Sequence, residues 1–320
     1  MQAAVVQAFD APPRYTTFAD PVAAEGEKLV HVVAAALHPI VKSLANGTHY
    51  GSTGKFPFVP GVDGVGFLED GTRVYFGIAR PPFGTFSERT LTSGRMCLPL
   101  PEGLGDVTAA AIANPAMSSW VALTARAKFV SGDSVLILGA TGVAGQLAVQ
   151  IAKRLGARRV IAAGRNPEAL ESLKSLGADA VISLEQEHDS LVSAFRTEYV
   201  SGGFDIVLDY LWGQPAEAVL EAISQKGLDH AASRIRFIQI GSSAGRNISL
   251  PAAILRSSGL ELLGSGFGSA SFDQIRIAIA EFFEAGAKAP FRFNTQAAPL
   301  REVEALWNQA ERGTRLVFQP

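Results

Sequence analysis

At 320 residues, 48% hydrophobic and 18% charged, with 32 glycines, the chain is long enough for two ordinary cores and too apolar for intrinsic disorder. A formal net charge of −2 supplies no field to hold a polyanion, which argues against nucleic acid or an anionic membrane as the main partner and in favour of a small molecule. The single cysteine, Cys97, allows neither an intrachain disulfide nor a thiolate metal site, and MQAAVVQAFD has no basic stretch followed by an apolar core, so a reducing, cytoplasmic setting is expected.

From the start to about residue 115, short apolar runs over 29–36, 64–68, 72–76 and 84–89 alternate with Gly and Pro clusters. That punctuation predicts an irregular, mostly antiparallel β domain. Ala-rich sequence over 108–123 predicts a helix crossing a domain boundary. Beyond residue 131 the rhythm becomes strand and amphipathic helix in alternation. Six strands are predicted, over 134–138, 159–163, 180–183, 204–209, 236–240 and 260–263, and most are near-continuous apolar runs, as in a parallel sheet covered on both faces. Between them, Val143, Leu147, Ile151 and Leu155 recur at helical spacing, Gly156 and Gly177 stand where C-terminal caps belong, and Pro167, Pro215 and Pro251 suit first turns. The uncharged run 134–153 is interrupted by Gly139, Gly142 and Gly145, so it reads as strand, turn and helix and not as a membrane span. After Gly264 a helix over 272–285, a short segment 291–293, a helix over 300–311 and a strand over 315–319 are expected to return to the first domain. The class is α/β: a doubly wound parallel sheet with a second, β-rich domain, and a cleft between the halves near the carboxyl ends of the parallel strands.

Between the first parallel strand and its helix lies Gly139-Ala140-Thr141-Gly142-Val143-Ala144-Gly145. Such a turn brings backbone N–H groups and a helix N-terminus up to a pyrophosphate without a Cβ in the way. Its position between an apolar strand and an amphipathic helix, in a unit closed by a second strand, is the context that dinucleotide binding requires. An acid at the end of the second strand would accept the ribose 2′-OH and repel a 2′-phosphate. The chain instead has Ala163-Gly164-Arg165-Asn166, and a guanidinium matches phosphate geometry. NADPH is the predicted cofactor, with Gly164, Arg165 and Asn166 at its adenosine end. Gly241, after the fifth strand, and Gly264, Ser265 and Gly266, after the sixth, are expected against its ribose and nicotinamide. Asp209 and Tyr210 follow the fourth strand in the same way.

The order of these parts resembles the zinc-lacking quinone-oxidoreductase branch of the medium-chain dehydrogenase/reductase superfamily over essentially the whole chain. The resemblance is carried by Ala36-Leu37-His38-Pro39 with Gly47, by Phe58-Val59-Pro60-Gly61-Val62-Asp63-Gly64-Val65-Gly66, by Gly71-Thr72-Arg73-Val74 and Gly84-Thr85-Phe86-Ser87-Glu88, by Ser118-Ser119-Trp120, and by the glycine turn. It implies a GroES-like catalytic domain over 1–118, a Rossmann domain over 119–264 and a return segment over 265–320. Alcohol dehydrogenases of the superfamily hold zinc with a first-domain Cys, a Gly-His-Glu and a later Cys. Here those positions read 38–42 without a thiol, Gly61-Val62-Asp63, and Asn114, so no metal ligand set is expected. Cys97, in an apolar segment, is read as packing.

Losing the Lewis acid removes the device that polarises an alcohol, so the resemblance implies a reductase of quinones or α,β-unsaturated carbonyl compounds. By position, His38 and Tyr50 should line the nicotinamide end and donate to a substrate oxygen, with Ser118 as a third catalytic candidate. Asn114 and Ser118 could bond the carboxamide or the substrate. The branch pattern has Asn and Asp where this chain has His38 and Val41. Two alternatives stay open: an enoyl-thioester reductase, whose carrier would need a basic patch such as Arg154, Arg158 and Arg159, and an idle NADPH-binding redox sensor. A homodimer pairing at the sixth strand is expected by analogy.

Overall fold

The computed structural model describes residues 1–224, 233–266, 268–310 and 313–320. It divides into two compact units, Met1–Asn114 with Ala280–Pro320, and Pro115–Ile279.

The Pro115–Ile279 unit carries six parallel strands in the spatial order Ala180–Ser183, Arg159–Gly164, Ser134–Leu138, Ile206–Asp209, Arg234–Gln239, Gly259–Gly264. Numbered along the chain this is 3-2-1-4-5-6, the doubly wound order, and the direction of winding reverses between Ser134–Leu138 and Ile206–Asp209. Every residue of Ser134–Leu138 is buried, as a central strand covered on both faces must be. The flanking helices turn their apolar rows inward: Val143, Leu147 and Ile151 are buried on Val143–Arg154, and Leu170 and Leu173 on Pro167–Leu176. The latter helix ends at Gly177 in the left-handed conformation, φ 112°, where a side chain would be strained. All six expected strands are present, with no end shifted by more than two residues.

The other unit holds a sheet in the order Asn294–Pro299, Thr314–Gln319, Glu27–Ala36, Asp63–Leu68, Arg73–Gly77, Cys97–Pro99, with Arg89–Ser93 also pairing to Glu27–Ala36. A separate hairpin joins Gln2–Val5 to Arg14–Thr17. Pairing is antiparallel apart from Asn294–Pro299 with Thr314–Gln319, which run parallel. Within the run 84–89 only Arg89 enters a strand, while Ser87 makes an isolated bridge to Ala3. The Ser87 hydroxyl lies 3.0 Å and 2.8 Å from the carbonyls of Gly84 and Arg89, a side-chain-to-backbone closure that competes with ladder pairing. The helix expected over 300–311 shortens to a 3-10 turn, Leu300–Glu302, and a helix, Val303–Leu306; residue 311 lies outside the described residues. A helix at Pro39–Ala45 and the strand Asn294–Pro299 are additional to the sequence reading.

The chain passes between these two units at 114/115 and 279/280. Both lie inside helices, Asp106–Val121 and Phe272–Lys288. The first crossing coincides with Pro115 inside its helix, where the missing N–H removes one intrahelical bond.

Candidate cofactor site and active site

The glycine turn follows Leu138 at the point where the winding reverses. The N–H groups of Gly139 and Ala140 both donate to the Ala163 carbonyl at 2.9 Å, pinning the turn to the second strand. Gly139 adopts φ +86°, and Gly142 caps the helix in extended backbone. Bonding along the helix begins with Gln146 N–H to Gly142 O at 2.9 Å, so the N–H groups of Val143, Ala144 and Gly145 have no carbonyl of the preceding turn to bond and mark the positive end of the helix. Gly145 is required by close approach: a Cβ there would lie 2.4 Å from Ala140 Cα and from Gly139 O. A Cβ on Gly164 would lie 2.6 Å from Thr141 Cγ2, which fixes the spacing between the turn and the end of the second strand. This cradle of bare backbone fits a pyrophosphate.

Arg165, one residue past that strand end, is exposed and makes no hydrogen bond or ion pair with a described residue. Its guanidinium is available to an anionic ligand. Asn166 has a structural task, since its Oδ1 accepts from Ala169 N–H at 2.8 Å as the N-cap of Pro167–Leu176.

Across the reversal point the chain leaves Ile206–Asp209 through Asp209 and Tyr210. Asp209 has no exposed surface. Its Oδ1 accepts from Leu211 N–H at 2.8 Å and Trp212 N–H at 2.9 Å, holding Trp212 at φ +57°, while Oδ2 is buried without a partner. Burial pushes this carboxyl up to about 6, against the pull of the two backbone N–H groups. A folded-state value above the ordinary 3.8 means that folding favours the protonated form. The stability this brings is full below pH 3.8 and lost as pH rises through 6. Asp209→Asn keeps an acceptor for both N–H groups and avoids burying a charge, so above pH 6 the variant should be the more stable by roughly 1–3 kcal/mol, at about 1.4 kcal/mol per pKa unit. Urea unfolding over a pH series checks this: the advantage should shrink steadily toward pH 3.8.

The Tyr210 phenol, raised to about 12 by loss of surrounding water, lies with its Oη 3.3 Å from Ser118 Oγ. Ser118 Oγ in turn donates to Pro115 O at 2.7 Å. Gly241 is held against Tyr210, where a Cβ would lie 2.6 Å from the Tyr210 carbonyl oxygen. Gly264 O accepts from Arg126 Nε at 2.8 Å, and Ser265 N–H donates to Gln239 O at 2.8 Å. Gly264 and Gly266 face open space.

In the first unit His38 is wholly buried, with Nε2 3.4 Å from Asp63 Oδ1. Asp63 Oδ2 accepts from Tyr75 Oη at 2.8 Å, and burial, reinforced by the Asp63 charge, holds the Tyr75 phenol well above its ordinary range. Neither Asp63 as a partner of His38 nor Tyr75 follows from sequence, although Asp63 stands where the superfamily's Glu stands. Tyr50, by contrast, is 81% exposed, and its ring lies 4.1 Å from that of His49. His49 Nδ1 accepts from Gly51 N–H at 3.0 Å, so in the neutral ring the proton is on Nε2. Asn114 is half-buried on Asp106–Val121, where the unit boundary falls. Among the described residues no group of three or more His, Cys, Asp or Glu side chains is arranged to hold a metal ion.

A doubly wound sheet with this turn at its reversal point, joined to a β-rich unit built from both ends of the chain, defines the class of two-unit dinucleotide-dependent oxidoreductases. Residues 143–284 match the family described as zinc-binding dehydrogenase. The chain is 29% identical to a probable NADPH-dependent quinone reductase of Emericella nidulans, over the whole of both chains. It is 31% identical to the 2-methylene-furan-3-one reductase of Solanum lycopersicum, over 61% of this chain and 52% of that one. The quinone oxidoreductase of Thermus thermophilus, whose structure was also solved with NADPH, superposes over 100% of both chains with a TM-score of 0.80 at 28% identity. The chain is thus similar to the quinone-oxidoreductase-like branch of the medium-chain dehydrogenase/reductase superfamily.

Proposed function

We propose that the protein is an NADPH-dependent, zinc-independent reductase of quinones or α,β-unsaturated carbonyl compounds. The observation that carries the reading is Arg165: an exposed guanidinium without a partner among the described residues, one step beyond a glycine cradle, where an acid would select NADH. The whole-length likeness to a probable NADPH-dependent quinone reductase and the partial likeness to an enone reductase support the acceptor class.

NADPH, when bound, supplies a hydride to the acceptor. The turn Gly139 to Gly145 and Arg165 hold its phosphates, with Gly164 keeping the turn at its distance from the second strand. Gly241, Gly264, Ser265 and Gly266 border its ribose and nicotinamide, with Asn114 nearby. Reduction places an electron pair on an acceptor oxygen, which then needs a hydrogen-bond donor. Tyr50 has the accessible hydroxyl for that task, on a ring backed by His49. His38, without exposed surface, acts through its contact with Asp63 as a positioning residue at the start of Pro39–Ala45.

Arg158 and Arg159 are paired with Asp205 and Glu198, so two of the three arginines that a phosphorylated carrier would need are already engaged within the protein. The strand Gly259–Gly264 ends the sheet order and exposes Leu262, which supports a homodimer pairing at that edge. No helix among the described residues is long and apolar enough to cross a membrane, which accords with a cytoplasmic enzyme. With a panel of quinones and enones, NADPH consumption should proceed undiminished in excess chelator with no metal added. A silent panel, or activity lost to the chelator and restored by zinc, would overturn the proposal; tight NADPH binding with no hydride loss in rapid mixing would mark an idle sensor instead.

A further inference from the structure

The contact between Tyr210 and Ser118 has a direction. Ser118 carries one hydroxyl proton, and that proton goes to the Pro115 carbonyl at 2.7 Å. The neighbouring Ser119 hydroxyl is committed in the same way, to Ala116 O at 3.1 Å. The 3.3 Å contact with Tyr210 Oη therefore runs from tyrosine to serine. The result is a chain of hydroxyls, Tyr210 to Ser118 to Pro115 O, with both protons turned toward the helix backbone and lone pairs left on both oxygens. A pair so ordered accepts hydrogen bonds and does not give them. A substrate oxygen gains nothing from it; an N–H donor does.

The backbone sets where this acceptor stands. Tyr210 directly follows Ile206–Asp209, and its N–H donates to Leu138 O at 3.2 Å, so it flanks the winding reversal opposite the glycine turn. A Cβ on Gly139 would lie 3.3 Å from Tyr210 Cβ. The Tyr210 carbonyl accepts from Ser243 Oγ at 3.1 Å, which ties the residue to the loop after the fifth strand. In a doubly wound sheet a dinucleotide lies across the reversal, with its adenosine toward the second strand and its other half toward the fourth to sixth. Tyr210 is thus on the side of the reactive ring, and both it and Ser118 are only half-buried.

We propose that Tyr210 Oη, oriented by Ser118, accepts from the carboxamide N–H of the nicotinamide ring, and so selects dinucleotides that carry a primary amide and fixes the rotation of the ring. This rests on the NADPH reading above and assigns Ser118 to holding the cofactor, not to giving a proton to substrate. The ligand class follows from the chemistry: a dinucleotide whose ring bears an N–H donor is held, and one bearing a methyl ketone in its place is not.

Calorimetric titration with NADP+ and with its 3-acetylpyridine analogue tests the assignment by binding alone. The unaltered protein should favour NADP+. Tyr210→Phe should weaken NADP+ by about three- to tenfold, the range of one hydrogen bond, and leave the analogue within about twofold, so that the preference disappears; unchanged analogue binding also shows that the variant is folded. Ser118→Ala frees the phenol to rotate, and should reduce the preference by less than Tyr210→Phe does. A Tyr210→Phe variant that weakens both ligands equally, or neither, overturns the assignment while leaving the NADPH reading intact. If the unaltered protein takes up no NADP+ at all, both fall together.

Discussion

Replacing Gly145 with alanine should lower stability by about 1–3 kcal/mol, the range of overpacking in a well-packed site, and should weaken NADPH binding at least tenfold. The reason is steric. The new Cβ would meet Ala140 Cα and Gly139 O at 2.4 Å, and both are backbone atoms that side-chain rotation cannot move. The helix and the turn must separate, which pulls the N–H groups of the helix start away from the phosphates they are proposed to hold. Gly142→Ala is the matched control. It lies in the same motif, but a Cβ there meets nothing nearer than 3.7 Å, and its φ is an ordinary −75°. Its stability should change by less than about 1 kcal/mol, the glycine-to-alanine difference in a compatible backbone. Thermal melting of the two variants, each with and without NADPH, checks the contrast.

Arg165→Ala should weaken NADPH binding by roughly 10- to 100-fold and leave NADH nearly untouched, since only the former presents a phosphate dianion to the guanidinium and a charge-assisted hydrogen bond is worth about 1.5–3 kcal/mol. Arg165 is exposed with no ion-pair partner among the described residues, so its removal breaks no internal bond and the melting temperature should not move. Titration of both dinucleotides against both proteins decides the matter. A ratio of affinities that stays constant would show that Arg165 is a solvated surface residue and that the phosphate is held elsewhere.

What could be read from the chain follows the range of the forces involved. Central strands such as Ser134–Leu138 are legible because burial on both faces demands an unbroken apolar run. The glycine turn is legible because its neighbours supply strand and helix on either side. Pro39–Ala45 escaped, although Pro39 at its first turn was a usable signal, because the helix is short and carries no long apolar row. Asn294–Pro299 is polar and lies at the end of its sheet order, so its pattern reflects an edge and not a core. At the site, candidates on one loop could be named, but partners could not. Tyr210 reaches Ser118 across 92 positions, and the direction of their bond depends on a carbonyl that only the folded helix presents. Likewise His38 was visible as an unusual residue in its motif, while its complete burial beside Asp63, which Tyr75 also contacts, depends on two strands and a helix start coming together.

The first unit is sewn from the two extremities of the chain. Leu37 N–H donates to Leu316 O, and Arg315 reaches the Leu37 carbonyl across 278 positions. During synthesis the opening 114 residues must therefore wait on the ribosome without their last two strands, while the parallel sheet behind them has all of its own sequence and can close first. The unit with the parallel sheet thus has its whole sequence while the other is still unfinished. A chain truncated at residue 290 should resist protease over 115–279 and yield readily before it.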